Sequence, residues 1–234
     1  MQDFFQLPVF GVFISIVAFA GARELRKKYN YILLNPVLVA IVSIISFLLI
    51  FNIAFEDYNR GGKFISFFLG PSVVALGVFF YEKYEEVKQN LKVFLLSVAA
   101  GGVTGILMVI IFLLLFKVPD FIIESLAAKS VTTPIAIEIT KLTGGIPEIT
   151  AGIVIAVGIF GNAFGPFILK KLGIKSKVAI GTALGTAAHG IGTARAFEES
   201  KLAGVYSGLA MCVNGIITAL ITPYLLQLFF GLFS

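Results

Sequence analysis

Nine candidates to bind or move small charged ligands stand in the second half of the chain, in two short stretches. The first holds Lys129, Ser130, Thr132, Thr133 and Glu138; the second holds His189, Thr193, Arg195 and Glu198. Arg195 can grip a carboxylate with two parallel hydrogen bonds, and Lys129 can supply a point charge. A cation inside an apolar stretch is costly and is usually functional. His189, the single histidine, titrates in the range that suits a proton relay or a direct hydrogen bond to substrate. Thr132, Thr133, Thr193 and Ser130 offer hydroxyls to substrate oxygens or to a sodium ion, together with free backbone carbonyls. Glu138 and Glu198 are candidate coupling carboxylates.

Each residue also has a plainer reading. Arg195 can pair with Glu138 or Glu198, His189 can donate to a carbonyl, and the threonines can cap helices. Glu138 and Glu198 can serve as charge partners of Lys141, Lys201 and Arg195. One histidine without neighbouring acids and cysteines argues against a metal site. No nucleophile, base and acid stand at a spacing that suggests an enzyme, and no cofactor motif is present. GTALG and GGIP lack the lysine and preceding strand of a phosphate loop and read as helix packing and flexible breaks.

The surroundings of these residues are those of a membrane protein. Of 234 residues, 58% are hydrophobic and 13% charged, with a mean hydropathy of +1.00; soluble domains carry about 25% charged residues. The net charge of +5 comes from short clusters between apolar runs, which argues against a nucleic-acid partner. There is no Trp, so Tyr must form the interfacial belt. Cys212 lies in an apolar run and reads as a buried, inert thiol.

Apolar runs at Phe4–Ala22, Ile32–Phe55, Phe64–Tyr81, Val93–Phe116, Ile149–Leu169 and Leu202–Phe233 predict six spans. Asn35-Pro36 and Gly70-Pro71 lie in or beside spans two and three and can kink them. No basic side chain precedes the first run and a basic cluster follows it, as expected for a retained span with its N-terminus outside. Lys and Arg collect after spans one, three and five, at Arg23–Lys28, Lys83–Lys92 and Lys170–Lys177, and sparingly in Glu56–Lys63 and Lys117–Asp120. The basic loops therefore belong in the cytoplasm. Pro119–Glu148 must then begin and end outside.

Two segments, Ile122–Thr150 and Ala179–Lys201, are too polar for lipid and too apolar for water-exposed loops. Irregular backbone at membrane depth is tolerated only inside protein or along a wet cavity, so both read as re-entrant or broken helices. They are also related. AAKSVTTPIAIEITKLTG from Ala127 and AAHGIGTARAFEESKLAG from Ala187 share eight of eighteen residues at an offset of 60, where about one or two are expected from composition. Gly101 and Gly105 fall on Gly161 and Gly165 at the same offset. The expected organisation is three N-terminal spans (1–92), repeat unit A (93–148), repeat unit B (153–208) and the rest of the last span (209–234). With one crossing per unit, the second is inserted upside down. The expected fold is an all-α polytopic membrane protein of about six helices, with two broken segments in an inverted-topology repeat of the kind secondary transporters use.

LGPSVVALGVFFY at 69–81, KSVTTPIAIEIT at 129–140, GGIPEITAGI at 144–153 and GTAAHGIGTARAFE at 185–198 resemble the LrgB/CidB family over nearly the whole chain. The resemblance implies a bacterial or archaeal inner-membrane protein, often encoded beside a small LrgA/CidA-type holin-like partner. The family was named for effects on murein hydrolase activity and autolysis and called antiholin-like. It is also similar to the plastid glycolate/glycerate translocator. Two functions are thus expected, transport of a small monocarboxylate, coupled to H+ or Na+, or antiholin-like regulation. The expected partners are the carboxylate, the bilayer, the small holin-like protein and a second copy of the chain.

Overall fold

Four helix starts in this chain follow its prolines. Pro8, Pro36, Pro134 and Pro147 each stand in the first turn of a helix, where their fixed φ fits and the missing N–H has no intrahelical partner to lose. The computed structural model describes residues 5–29, 34–68, 71, 78, 81 and 84–233. These are helical with no strand: α1 (Pro8–Tyr29), α2 (Pro36–Ile50), α3 (Phe55–Phe67), α4 (Tyr84–Leu115), α5 (Asp120–Ala127), α6 (Thr133–Thr143), α7 (Pro147–Lys171), α8 (Lys177–Glu199) and α9 (Lys201–Phe233). The stretches Pro8–Tyr29, Leu91–Leu115, Pro147–Lys171 and Lys201–Leu232 are long and apolar enough to cross a membrane. The chain is a multi-pass α-helical membrane protein.

The four stretches match the first, fourth, fifth and sixth expected spans. The second is a shorter apolar helix, α2, of 15 residues, about 22 Å at 1.5 Å per residue, short of a full crossing. Asn35 starts it, its side chain accepting from the Val37 and Leu38 amides at 2.9 and 3.3 Å. The third expected span, Phe64–Tyr81, and the Gly70-Pro71 pair lie largely outside the described residues.

The chain divides into two units, Met1–Val78 and Phe79–Ser234. In the first, the connection expected at Glu56–Lys63 is instead the body of helix α3. Glu56 and Asp57 occupy its first turn, where they meet the positive end of the helix dipole. Gly61 gives it a flat contact surface: a Cβ there would overlap Pro8 O and the Gly11 backbone of α1. The Tyr58 hydroxyl lies 3.0 Å from Ser15 Oγ. A short polar stretch has thus become a helix because one face packs on α1 while its charges stay outside.

In the second unit both polar segments are broken as expected. Helix α5 ends at Ala127, and α6 begins at Thr133. Helix α8 loses helical geometry at Ala188 (φ −131°, ψ 17°) and His189 (φ 42°, ψ −134°). A histidine in that backbone region is strained, at about 1–3 kcal/mol, and persists only where its surroundings hold it. The two breaks, 128–132 and 188–189, coincide at the offset of 60.

Helix α8 is folded back on itself at this break. In its first half, Gly181 lies against the Ala203 backbone and Gly185 against that of Ser207. In its second half, Thr193 Oγ1 is 2.9 Å from Ser207 Oγ, and the Phe197 ring covers Gly204. Both halves therefore run along the same stretch of α9, in opposite directions. Their ends meet where Lys177 Nζ donates to Glu199 O at 3.3 Å. The segment α5–α6 returns in the same manner. The Ile146 amide, beyond α6, donates to Ser125 Oγ at 2.7 Å, and Thr150 Oγ1 donates to Ser125 O at 2.9 Å.

Candidate functional site

The tips of the two hairpins come together in the interior of the second unit. His189, at the tip of the second, places Nε2 3.0 Å from Val154 O on α7. Val154 in turn packs against Ala128, Val131 and Ala136 at the break of the first. From α9, the Asn214 amide Nδ2 donates to Ser130 O at 3.4 Å and to Thr186 O at 3.0 Å. One fully buried asparagine is thus bonded to both tips. Asn162 of α7 donates to Ile191 O at 2.8 Å, and Thr193 Oγ1 donates to His189 O at 2.9 Å. A break frees backbone groups that must find partners when buried, and these side chains supply them.

Asn214 and Asn162 were not among the candidates drawn from the sequence. The available signal was their type: a primary amide inside a long apolar helix is an intramembrane polar group, and such groups mark helix contacts and functional sites.

The sequence-derived candidates separate into two places. Lys129, Ser130 and His189 lie at the tips, with Thr132 capping the start of α6, Thr133 next to it, and Thr193 bonded to Ser207. The side chain of Thr132 makes no capping bond. Lys129 Nζ donates to Ser130 Oγ at 3.0 Å. The others lie farther out. Arg195 stands six positions past His189 and gives both arms of its fork to carboxylates, Nη1 to Glu198 at 2.5 Å and Nη2 to Glu199 at 2.8 Å. Glu138 is exposed and pairs with Lys141 at 2.7 Å. Neither Arg195 nor the two glutamates shares the space around Lys129.

Cys212, read from the sequence as buried, is exposed. It belongs to the outward stripe of α9 with Ile216, Leu220 and Tyr224, spaced by one helical turn and turned away from Asn214. Among the described residues no group of three His, Cys, Asp or Glu side chains could hold a metal.

Comparison with known proteins gives a consistent answer. The sequence model described as the LrgB-like family matches residues 15–228. The holin-like protein CidB of Staphylococcus epidermidis is 31% identical over 98% of this chain and 100% of its own length. The antiholin-like protein LrgB of Bacillus cereus is 32% identical over 92% of this chain and 94% of its own. The uncharacterized protein YwbG of Bacillus subtilis is 31% identical over 94% of this chain and 98% of its own length. No solved structure matches.

Proposed function

Because the chain belongs to the LrgB-like family, we propose that it acts as an antiholin-like membrane protein, regulating murein hydrolase activity and autolysis together with a small holin-like partner. One observation carries this reading: relatives that match nearly the full length bear the names antiholin-like LrgB and holin-like CidB. The test is complementation. A bacterial strain lacking its own LrgB-family protein, with its small holin-like protein retained, is given this chain, and detergent-induced lysis is followed by turbidity. Lysis kinetics restored towards those of the parent strain support the reading. Unchanged kinetics with the protein present in the membrane contradict it.

A second reading is favoured by a specific feature, the meeting of two hairpin tips related by sixty positions. It is secondary transport of a small monocarboxylate of the glycolate, glycerate, lactate or pyruvate kind, with H+ or Na+ as coupling ion. If each hairpin returns to the side it started from, each repeat crosses once, and the two are inverted relative to each other. Two hairpins reaching the middle from opposite sides then give alternating access to one central site. What supports this is the offset shared by the sequence match and the breaks, together with the polar groups at the tips. His189 is the candidate for proton coupling. Uptake of radiolabelled lactate by the purified chain in liposomes tests the second: uptake above empty liposomes supports it, and none, with or without a pH or sodium gradient, contradicts it.

A further inference from the structure

Two cavities in the second unit share a cation. The larger, of about 730 Å³, runs between α4 and α7 from Gly101 and Gly105 to Leu169 and includes Lys129, Ser130 and Thr186 in its wall. The smaller, of about 380 Å³, also contains Gly105 and Lys129 but extends to Leu113 on α4 and Ile153 on α7. Along α4 the larger cavity takes the earlier residues and the smaller the later ones; along α7 the order is reversed. The cavities therefore leave Lys129 in opposite directions, and the two helices run antiparallel past it.

The walls are otherwise apolar. Among the described residues, Lys129 is the only charged residue lining either cavity. Its ammonium has Ser130 Oγ as its hydrogen-bond partner, and no carboxylate among the described residues pairs with it. Thr186 is 7% exposed, and its Oγ1 is buried with no partner among the described residues. A buried hydroxyl left unbonded and a lysine left unpaired at membrane depth are both costly, and one anion in the cavity would satisfy both. The gap is open on the α4 side, where a Cβ on Gly105 would meet nothing within 4 Å.

We propose that Lys129 is the anion-binding group of this gap, with the Ser130 and Thr186 hydroxyls donating to the same carboxylate, and that the bound group can be reached through either cavity. A single cation between apolar walls selects a singly charged ligand with a short carbon chain; a dicarboxylate would bury a second charge without a partner. The proposal rests on the transport reading.

The test uses the purified full-length chain and radiolabelled lactate as probe, measured at equilibrium in detergent and, separately, as uptake into liposomes. Expected is saturable binding that succinate competes for at least tenfold less well than unlabelled lactate. Lys129→Gln should weaken binding more than tenfold, Lys129→Arg only by a few-fold, and Thr186→Val by a few-fold, with unchanged elution and unfolding midpoint as the check on folding. If Lys129→Gln does not fold, the Thr186→Val and succinate results decide. Absence of lactate binding by the native chain, unchanged affinity in folded Lys129→Gln, unchanged affinity in folded Thr186→Val, or equal competition by succinate overturns the site. Binding that depends on Lys129 without uptake keeps the site and overturns transport.

Discussion

Asn214 and Val154 stand sixty positions apart and do equivalent work at the two hairpins. Asn214 of α9 donates to Ser130 O at the tip of the first hairpin, and Val154 of α7 contributes its carbonyl to His189 at the tip of the second. His189 and Lys129, themselves sixty apart, are the residues at the tips. The sixty-position offset thus relates contacts as well as letters: each hairpin tip is bonded to the helix that follows the other hairpin, at the same position of that helix. Asn214 adds a second bond, to Thr186 O, so its side chain is joined to both hairpins.

Asn214→Leu keeps the branching of the side chain and removes both bonds. Leaving buried carbonyls with a lost partner costs about 1–3 kcal/mol, so the unfolding midpoint in detergent should fall by several degrees. Asn162→Leu, which removes the bond to Ile191 O, should lower it less. Equal midpoints for Asn214→Leu and the native chain would show that the tips are held by other contacts.

Close approach of the second hairpin to α9 depends on glycine. A Cβ on Gly185 would overlap Ser207 O, which is backbone and cannot move aside, whereas one on Gly152 would meet nothing within 4 Å. Gly185→Ala should destabilise the protein by about 1–3 kcal/mol through overpacking. Gly152→Ala should leave stability unchanged or raise it slightly, since alanine favours the helix. Thermal unfolding of the two variants side by side checks the contrast.

Arg195 has a different role to test. Its two carboxylate partners occupy its fork, and its side chain is 21% exposed. Partly exposed ion pairs of this kind contribute up to about 1 kcal/mol. Arg195→Gln should therefore lower stability modestly and leave lactate affinity within about twofold. A folded Arg195→Gln chain that loses lactate binding would move the anion site from Lys129 to Arg195.

The sequence carried the architecture further than the contacts. Apolar runs of about 20 residues fix the long helices regardless of packing, which is why α1, α4, α7 and α9 were legible. The breaks were legible because charges, Pro134 and glycine clusters cannot sit in a lipid-facing helix. Glu56–Lys63 was misread because its helicity comes from the Gly61 contact with α1, a tertiary effect that overrides a polar local composition. Arg195 stood out by type, but its partners Glu198 and Glu199 lie on its own helix, and only the fold shows that they take up its fork. Asn214 was passed over because a single amide in an apolar run carries no motif; its importance comes from which carbonyls it meets. Cys212 was misjudged because hydropathy does not distinguish an inward helical stripe from an outward one.

The central claim is that the two hairpins reach the interior from opposite sides of the membrane. The most direct measurement is side-specific labelling of two single-cysteine variants, Lys117→Cys before the first hairpin and Lys175→Cys before the second, in a Cys212→Ala background. A membrane-impermeant maleimide is applied to intact cells and to inside-out vesicles. The account predicts that position 117 is labelled in intact cells and position 175 only in inside-out vesicles. Labelling of both positions from the same side would contradict it, since the two repeats would then share one orientation and the hairpin tips could not meet from opposite faces of the membrane.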